Sequence, residues 1–126
     1  MSDQAQLTER FTDVMAKFTA FFGKRLPDDV LEKLEAMRRV QKSELATLVY
    51  DAMFTDLEMA KERNVPFCQD TGVIQYHIEL GADFPIRNEL EACLKEAVRR
   101  ATVKAPLRHN AVQIFDEKNT GDNTGH

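Results

Sequence analysis

The chain has 126 residues, of which 43% are hydrophobic and 30% charged, and its formal net charge at pH 7 is -4. This length supports one domain with a modest core, and the charge argues against a nucleic-acid partner, since the basic clusters Arg38-Arg39 and Arg99-Arg100 are only pairs. No apolar run approaches the ~18 residues needed to cross a membrane. Two cysteines make no disulfide framework, so we expect a cytoplasmic protein.

The first half of the chain has the apolar periodicity of amphipathic helices. The pattern predicts a first helix from Leu7 to near Gly23 and a second that begins at Pro27, whose missing N–H suits a first helical turn. Ser43 is the predicted N-cap of a third helix that ends near Asn64. The third helix carries its apolar residues on one side, and the second helix is expected to bury one apolar face. In the second helix that face comprises Val30, Leu31, Leu34, Met37 and Val40.

The second half of the chain combines a strand pattern with one more helix. Residues 73–80 alternate apolar and polar side chains, which is typical of a half-buried strand. Asn88 with Glu91 three residues later resembles a capping box, and a fourth helix continues from there until shortly before Pro106. We therefore predict an α+β fold, predominantly helical, in which N-terminal helices pack with a small β-sheet behind the loop that contains Cys68.

Residues 66–72, Pro-Phe-Cys-Gln-Asp-Thr-Gly, carry the densest chemistry in the sequence. They lie between the third helix and the predicted strand, and loops between rigid elements often hold binding and catalytic groups. A thiolate in a polar loop is the form that ligates metals, whereas a free cysteine often packs as a small hydrophobe. The residues alone leave both interpretations of Cys68 open. Cys93 lies beside the apolar stripe of the fourth helix, so we predict that it packs in the core.

Two alternatives apply to Asp70-Thr71-Gly72. The tripeptide matches the signature of aspartic proteases, in which two carboxylates share one proton. That motif normally follows an apolar pair leaving a strand in an all-β fold, whereas here it follows Cys-Gln in a chain whose first half is helical. A plain turn is the second alternative.

Arg108, His109 and Asn110 place a guanidinium beside an imidazole and an amide. This set suits the binding of a carboxylate, because arginine can bind both carboxylate oxygens at once. A surface loop with a helix-capping asparagine is the alternative, and His77 on the polar side of the predicted strand is read as a solvated histidine. Residues 119–126 contain two Asn-Thr-Gly turns, which we interpret as leading to a partner element outside a truncated domain.

Three stretches together resemble one family. They are residues 66–72, residues 104–111 (Lys-Ala-Pro-Leu-Arg-His-Asn-Ala) and residues 119–125 (Asn-Thr-Gly-Asp-Asn-Thr-Gly). They resemble the N-terminal part of the iron-sulfur hydro-lyases, the family of class I fumarases and the alpha subunit of L(+)-tartrate dehydratase, and residues 26–30 are similar to the latter. The resemblance implies that residues 1–126 are a single, truncated N-terminal domain of a larger hydro-lyase alpha subunit.

The resemblance implies water elimination or addition on a 2-hydroxy dicarboxylic acid, either L-tartrate to oxaloacetate or malate and fumarate interconversion. It implies a 4Fe-4S cluster held by three cysteines, with one open iron acting as a Lewis acid. Cys68 matches the first cluster ligand. Gln69 and Asp70 would contact the substrate, with Asp70 as the catalytic proton donor or acceptor. Arg108 would bind a substrate carboxylate, and His109 is a further candidate contact.

The resemblance also implies partners. These are the dicarboxylate substrate, the C-terminal remainder of the subunit, and a beta subunit or beta domain, within an oligomer. Because one cysteine cannot hold a cubane cluster, we expect the cluster in the full-length enzyme and not on the isolated, inactive chain. A non-catalytic helical module for interaction or assembly is the alternative function, and the residues do not choose between tartrate and malate or fumarate.

Overall fold

The computed structural model describes residues 3–67 and 73–124. In these residues the regular secondary structure consists of α1 (Asp3–Phe22), α2 (Asp28–Arg39), α3 (Glu44–Arg63) and α4 (Leu90–Lys104). The four predicted helices are thus confirmed. Ser43 caps α3 as predicted, because its hydroxyl accepts a hydrogen bond from the Ala46 N–H. Asn64 ends α3 in left-handed backbone, a conformation that asparagine tolerates better than most residues.

The predicted small β-sheet is wrong. Residues 73–80 have neither helical nor strand backbone, and the β-type pairing among the described residues is a single antiparallel bridge between Val112 and Asn119. Alternating side chains indicate which face a strand would bury, but a strand also needs a neighbour to satisfy its backbone hydrogen bonds. The described residues supply no such neighbour to residues 73–80, so their fold is helical rather than α+β.

The start of α4 also differs from the prediction. The helix begins at Leu90, and Glu89 precedes it without a side-chain capping bond. The predicted capping box of Asn88 and Glu91 is therefore not the cap of this helix. The Glu89 carboxylate instead accepts a hydrogen bond of 2.9 Å from the side-chain amide of Gln4 on α1.

The core lies between α1 and α4, and small side chains build it. Ala20 of α1 packs with Ala101 and Ala105, and the partly buried Leu107 packs against this cluster. Small residues at a helix contact allow a short interaxial distance. Thr12 and Thr19 on the same side of α1 are also buried, and each hydroxyl donates to the backbone carbonyl four residues earlier. These internal bonds satisfy the hydroxyl groups within the core.

Helices α2 and α3 pack on each other, and within the described residues neither packs along α1 or α4. Arg38 links them through an ion pair with Asp51 and a guanidinium 5.2 Å from the ring centre of Phe54. The predicted burial of the apolar face of α2 is wrong, because α2 has no buried residue. Helix α3 buries only Ala60. Two helices cover only a stripe of each other's surface, so their remaining apolar side chains stay exposed. The most exposed are Val40, Leu45, Leu48 and Val49.

None of the described helices combines the length and the apolar character that crossing a membrane requires.

Candidate functional site

A cavity of about 990 Å³ is lined by the end of α1 and by several loop segments. Its volume is near the upper end of the range for small-molecule sites. Phe18, Thr19 and Phe22 of α1 contribute one wall. The other walls come mainly from residues 65–67, 73–76, 106–108, 110–111 and 123–124. Phe18 and Phe22 of α1 therefore face a cavity, while small residues of the same helix face the core.

The cavity includes both flanks of the segment that the sequence singles out. Phe67 and Val73, on either side of residues 68–72, are lining residues. Cys68, Gln69 and Asp70 themselves lie outside the described residues. The cluster ligand, the substrate contacts and the catalytic carboxylate assigned to them stay predictions.

Arg108 lines the cavity, and its side chain is exposed. Arg38, Arg39, Arg99 and Arg100 each pair with a carboxylate. Arg108 makes no ion pair within the described part of the chain, and a guanidinium is a group that binds carboxylates through two hydrogen bonds. Asn110 also lines the cavity, whereas His109 between them is exposed and is not a lining residue. Substrate contact by His109 stays a prediction.

Residues 119–124, which we call the C-terminal loop, hold the backbone of residues 108–111, which we call the Arg108 segment. The Asn123 side chain donates to the Arg108 carbonyl at 3.0 Å and accepts from the Asn110 N–H at 2.8 Å. The Asn119 side-chain amide donates to the His109 carbonyl, and the Thr120 N–H donates to the Ala111 carbonyl at 3.0 Å. Each residue of the segment is therefore fixed by at least one hydrogen bond from the loop.

The C-terminal loop is itself anchored to α4 through Asp122. Its carboxylate accepts hydrogen bonds from the Thr124 N–H at 3.1 Å, the Thr124 hydroxyl at 2.8 Å and the Arg99 side chain at 3.1 Å. The backbone hydrogen bond from Thr124, helped by these side-chain bonds, holds the pKa of Asp122 far below its usual range. Asp122 is therefore ionised at neutral pH, and the loop has a charged attachment to the helix.

A second anchor lies on the other side of Arg108. The Leu107 N–H donates to the Thr102 carbonyl at 3.1 Å, and the Leu107 side chain packs on the alanine core. Residues on both sides of Arg108 are therefore held against the end of α4. Elsewhere on the cavity wall, the Thr19 and Tyr76 hydroxyl groups form a hydrogen bond of 2.5 Å.

The side chains around the cavity determine which metal or cofactor it could hold. The described residues contain no group of three or more His, Cys, Asp or Glu side chains that could hold a metal ion. Cys93 is a free thiol buried in α4, as predicted, and does not line the cavity. Because cysteine thiolates hold a 4Fe-4S cluster, the described residues do not form a complete cluster site. The remaining cysteine of the sequence is Cys68.

Sequence reasoning missed the role of several cavity residues. The sequence places Asn123 and Thr124 in predicted turns and in one motif stretch, places Tyr76 in the predicted strand, and assigns no role to Thr19. The positive φ angles of Gly121 (76°) and Asn123 (61°) fit the turn prediction. The Asn-Thr-Gly spacing signals such turns, but nothing local in it shows that the loop binds the Arg108 segment.

The comparison with known proteins defines the class. A protein-family model described as fumarate hydratase (Fumerase) matches residues 12–125, and the chain belongs to this family. The resemblance inferred from the three stretches is thereby confirmed.

Particular relatives are tartrate dehydratase subunits. The L(+)-tartrate dehydratase subunit alpha of Escherichia coli strain K12 is 47% identical over 124 residues, which are 98% of this chain and 41% of that protein. A putative L(+)-tartrate dehydratase subunit alpha of Methanocaldococcus jannaschii is 30% identical over 118 residues, which are 92% of this chain and 41% of that protein. The chain thus spans 41% of the length of these relatives.

Proposed function

We propose that this chain forms one wall of the active site of an iron-sulfur hydro-lyase that removes water from, or adds it to, a 2-hydroxy dicarboxylic acid. One observation carries the proposal. Arg108, which makes no ion pair within the described residues, lines the same cavity as Phe67 and Val73, the residues on either side of residues 68–72. Membership of the fumarate hydratase family supports the reaction class. The names of the relatives favour L-tartrate, with malate or fumarate as the second substrate class.

Arg108 is assigned to one substrate carboxylate. A guanidinium can donate two parallel hydrogen bonds to a carboxylate, which fixes the orientation of the acid as well as its position. The substrate's second carboxylate is assigned to Gln69 together with groups outside this chain, and His109 is kept as a further candidate contact. Since both carboxylates persist through the reaction, we expect these contacts to bind substrate and transition state about equally.

The proton of the leaving hydroxyl is assigned to Asp70. Dehydration breaks a C–O bond and a C–H bond on adjacent carbons and forms a double bond, so the hydroxyl must gain a proton to leave as water. A carboxyl group at Asp70 would give that proton, and its carboxylate would take it back in the hydration direction. The base for the carbon proton is expected outside these 126 residues.

Cys68 is assigned as one ligand of a 4Fe-4S cluster, which when bound supplies a Lewis acid for the substrate hydroxyl. Cys68 directly follows Phe67 in the sequence, and Phe67 is a lining residue of the cavity. The other cluster thiolates are assigned to sequence outside this chain. We therefore expect no cluster on the isolated chain.

The proposed partners are the C-terminal remainder of an alpha subunit and a beta subunit or domain, in a cytoplasmic oligomer. The name of the relative as subunit alpha supports this. The exposed apolar side chains of α2 and α3 also support assembly, since large exposed apolar patches mark interaction sites. A purely structural assembly module is the alternative function, and this same surface favours it.

The carboxylate assignment is tested by Arg108→Gln in the assembled enzyme that contains this chain. We expect the KM for L-tartrate or malate to rise roughly 10- to 100-fold, which is the usual worth of a hydrogen bond to a charged group. The kcat should change little, because the lost contact binds substrate and transition state alike. Steady-state kinetics with each acid would measure both constants.

Arg87→Gln is the matched control, because Arg87 is also exposed but does not line the cavity. It should leave both constants unchanged. An Arg108→Gln enzyme with an unaltered KM for every dicarboxylate would refute the assignment of this cavity as the substrate site.

A further inference from the structure

Asn123 bonds to three parts of the chain at once. Its side-chain oxygen accepts from the Asn110 N–H at 2.8 Å, and its amide group donates to the Arg108 carbonyl at 3.0 Å and to the Thr102 hydroxyl at 3.1 Å. Thr102 lies on α4 and is buried. Asn123 therefore ties the peptide groups on both sides of His109 to the rigid core helix.

The Asn123 side chain has little capacity left for a ligand. A side-chain amide has two N–H donors, and both are used on Arg108 and Thr102. Its oxygen already accepts from the backbone. Although Asn123 lines the cavity, its bonding capacity is directed to the protein and not to the cavity contents.

The backbone of Asn123 suits this role. Its φ angle of 61° lies in the left-handed region, where glycine and asparagine are favoured over other residues. A change to glycine therefore removes the three side-chain hydrogen bonds without adding backbone strain. Changes in KM or kcat caused by Asn123→Gly therefore measure the effect of losing those hydrogen bonds.

We propose that Asn123 is a positioning residue for substrate binding: it fixes the backbone of the Arg108 segment so that the Arg108 guanidinium meets the substrate carboxylate in the cavity. This inference rests on the proposed function and deepens it. The arginine side chain is long and has many rotamers. Fixing the backbone at Arg108 therefore restricts the positions that the guanidinium can reach. A misplacement of about 1 Å is enough to weaken such a contact strongly.

A double-mutant cycle in the assembled enzyme tests the proposal with Asn123→Gly, Arg108→Gln and the combination. We expect Asn123→Gly to raise the KM for the dicarboxylate about tenfold, with kcat altered by no more than about twofold. In the Arg108→Gln background the same change should raise KM by no more than about twofold, because residues that act through one another are not additive. A purely structural defect would lower kcat or the active fraction and would add to the Arg108 effect.

Asn64→Gly is the matched control. Asn64 has a similar φ angle of 55°, and its side chain accepts a hydrogen bond from Lys24. Neither Asn64 nor Lys24 lines the cavity. This variant should keep the KM of the parent enzyme. If Asn123→Gly does not fold, Thr102→Val takes its place in the cycle, since it removes the α4 partner of Asn123 and leaves the loop sequence intact.

The possible results separate the two claims. If Arg108→Gln raises KM but Asn123→Gly leaves it unchanged, or if the two effects add fully, the positioning role is overturned and the proposed function stands. If Arg108→Gln itself leaves KM unchanged, the proposed function fails, and the positioning role fails with it.

Discussion

Gly23 follows the last residue of α1 and lies against the side chain of Leu107. A Cβ atom at this position would be 2.5 Å from Leu107 Cδ2, closer than carbon atoms can approach without a shift. Leu107 is packed on the alanine core and directly precedes Arg108. The absence of a side chain at Gly23 therefore lets the Leu107 anchor sit against the end of α1.

For Gly23→Ala we expect the free energy of unfolding to fall by about 1 to 2 kcal/mol, the usual effect of one extra methyl group in a packed site. The flexible end of the leucine can move, which keeps the loss at the lower end. Urea denaturation would measure it. Gly81→Ala is the control, because a Cβ there meets no atom within 4 Å, and it should leave stability unchanged or raise it slightly. Equal stability of the two variants would contradict the close contact.

The sequence predicts the structural role of some individual residues and not of others. The caps at Ser43 and Asn64 and the burial of Cys93 follow from local chemistry, and the structure confirms them. The role of Asn123 depends on partners 13 to 21 positions away, which no local pattern encodes. Sequence reasoning could therefore identify a turn residue but not the segment that the turn residue holds.

At the scale of elements, the C-terminal loop is held to α4 by an ionised carboxylate. Folding lowers the pKa of Asp122 below its ordinary value of 3.8, chiefly through the Thr124 backbone hydrogen bond. A group whose pKa is lowered by folding stabilises the folded state fully above its unfolded pKa. That contribution is lost as the pH falls from about 4 towards the lower folded value.

We expect the loop of the parent chain to loosen in acid below about pH 4, where unfolded aspartate begins to be protonated. Asp122→Asn should loosen the loop already at neutral pH and remove this part of the acid dependence. Amide hydrogen exchange at Asn110 and Thr120 across this range would follow the change. Asp116→Asn, in the neighbouring exposed turn, is the control and should behave as the parent. An unchanged acid dependence in Asp122→Asn would show that another group is responsible.

The predicted helices are confirmed and the predicted strand is wrong for one physical reason. A helix satisfies its backbone hydrogen bonds within its own segment, so the periodicity of residues 3–63 and 90–104 was sufficient. A strand needs a partner, and the alternation of residues 73–80 carries no information about one. The described residues give these positions no partner strand, and the residues serve instead as cavity wall, with Ile74 and Tyr76 among the lining side chains.

At the scale of the whole molecule, the described residues form a compact α1–α4 pair and a separate α2–α3 pair. The core between α1 and α4 is built mainly of alanine and other small side chains. Large apolar side chains are exposed on α2 and α3, although the sequence pattern predicted a buried face on α2. Their periodicity correctly identifies an apolar face, but it does not say whether this chain or another part of an assembly covers that face.

The motifs identify the family because they contain reactive and polar side chains that packing alone does not require. The Arg108 segment and the C-terminal loop belong to two of the three motif stretches, and the structure brings these two together. The remaining stretch, residues 66–72, begins with Pro66 and Phe67, which line the cavity. The motifs thus predicted the family, while the contacts between the motifs required the structure.

The central claim is that this chain supplies one cluster ligand and one carboxylate-binding group to a hydro-lyase. The most direct test compares Cys68→Ala with Cys93→Ala in the assembled enzyme, measuring bound iron, bound sulfide and turnover of L-tartrate, malate and fumarate. We predict that Cys68→Ala loses the cluster and turnover, and that Cys93→Ala, altered only at a buried packing position, keeps both. A Cys68→Ala enzyme that retained its cluster and its turnover would contradict the account and favour a structural assembly role for the chain.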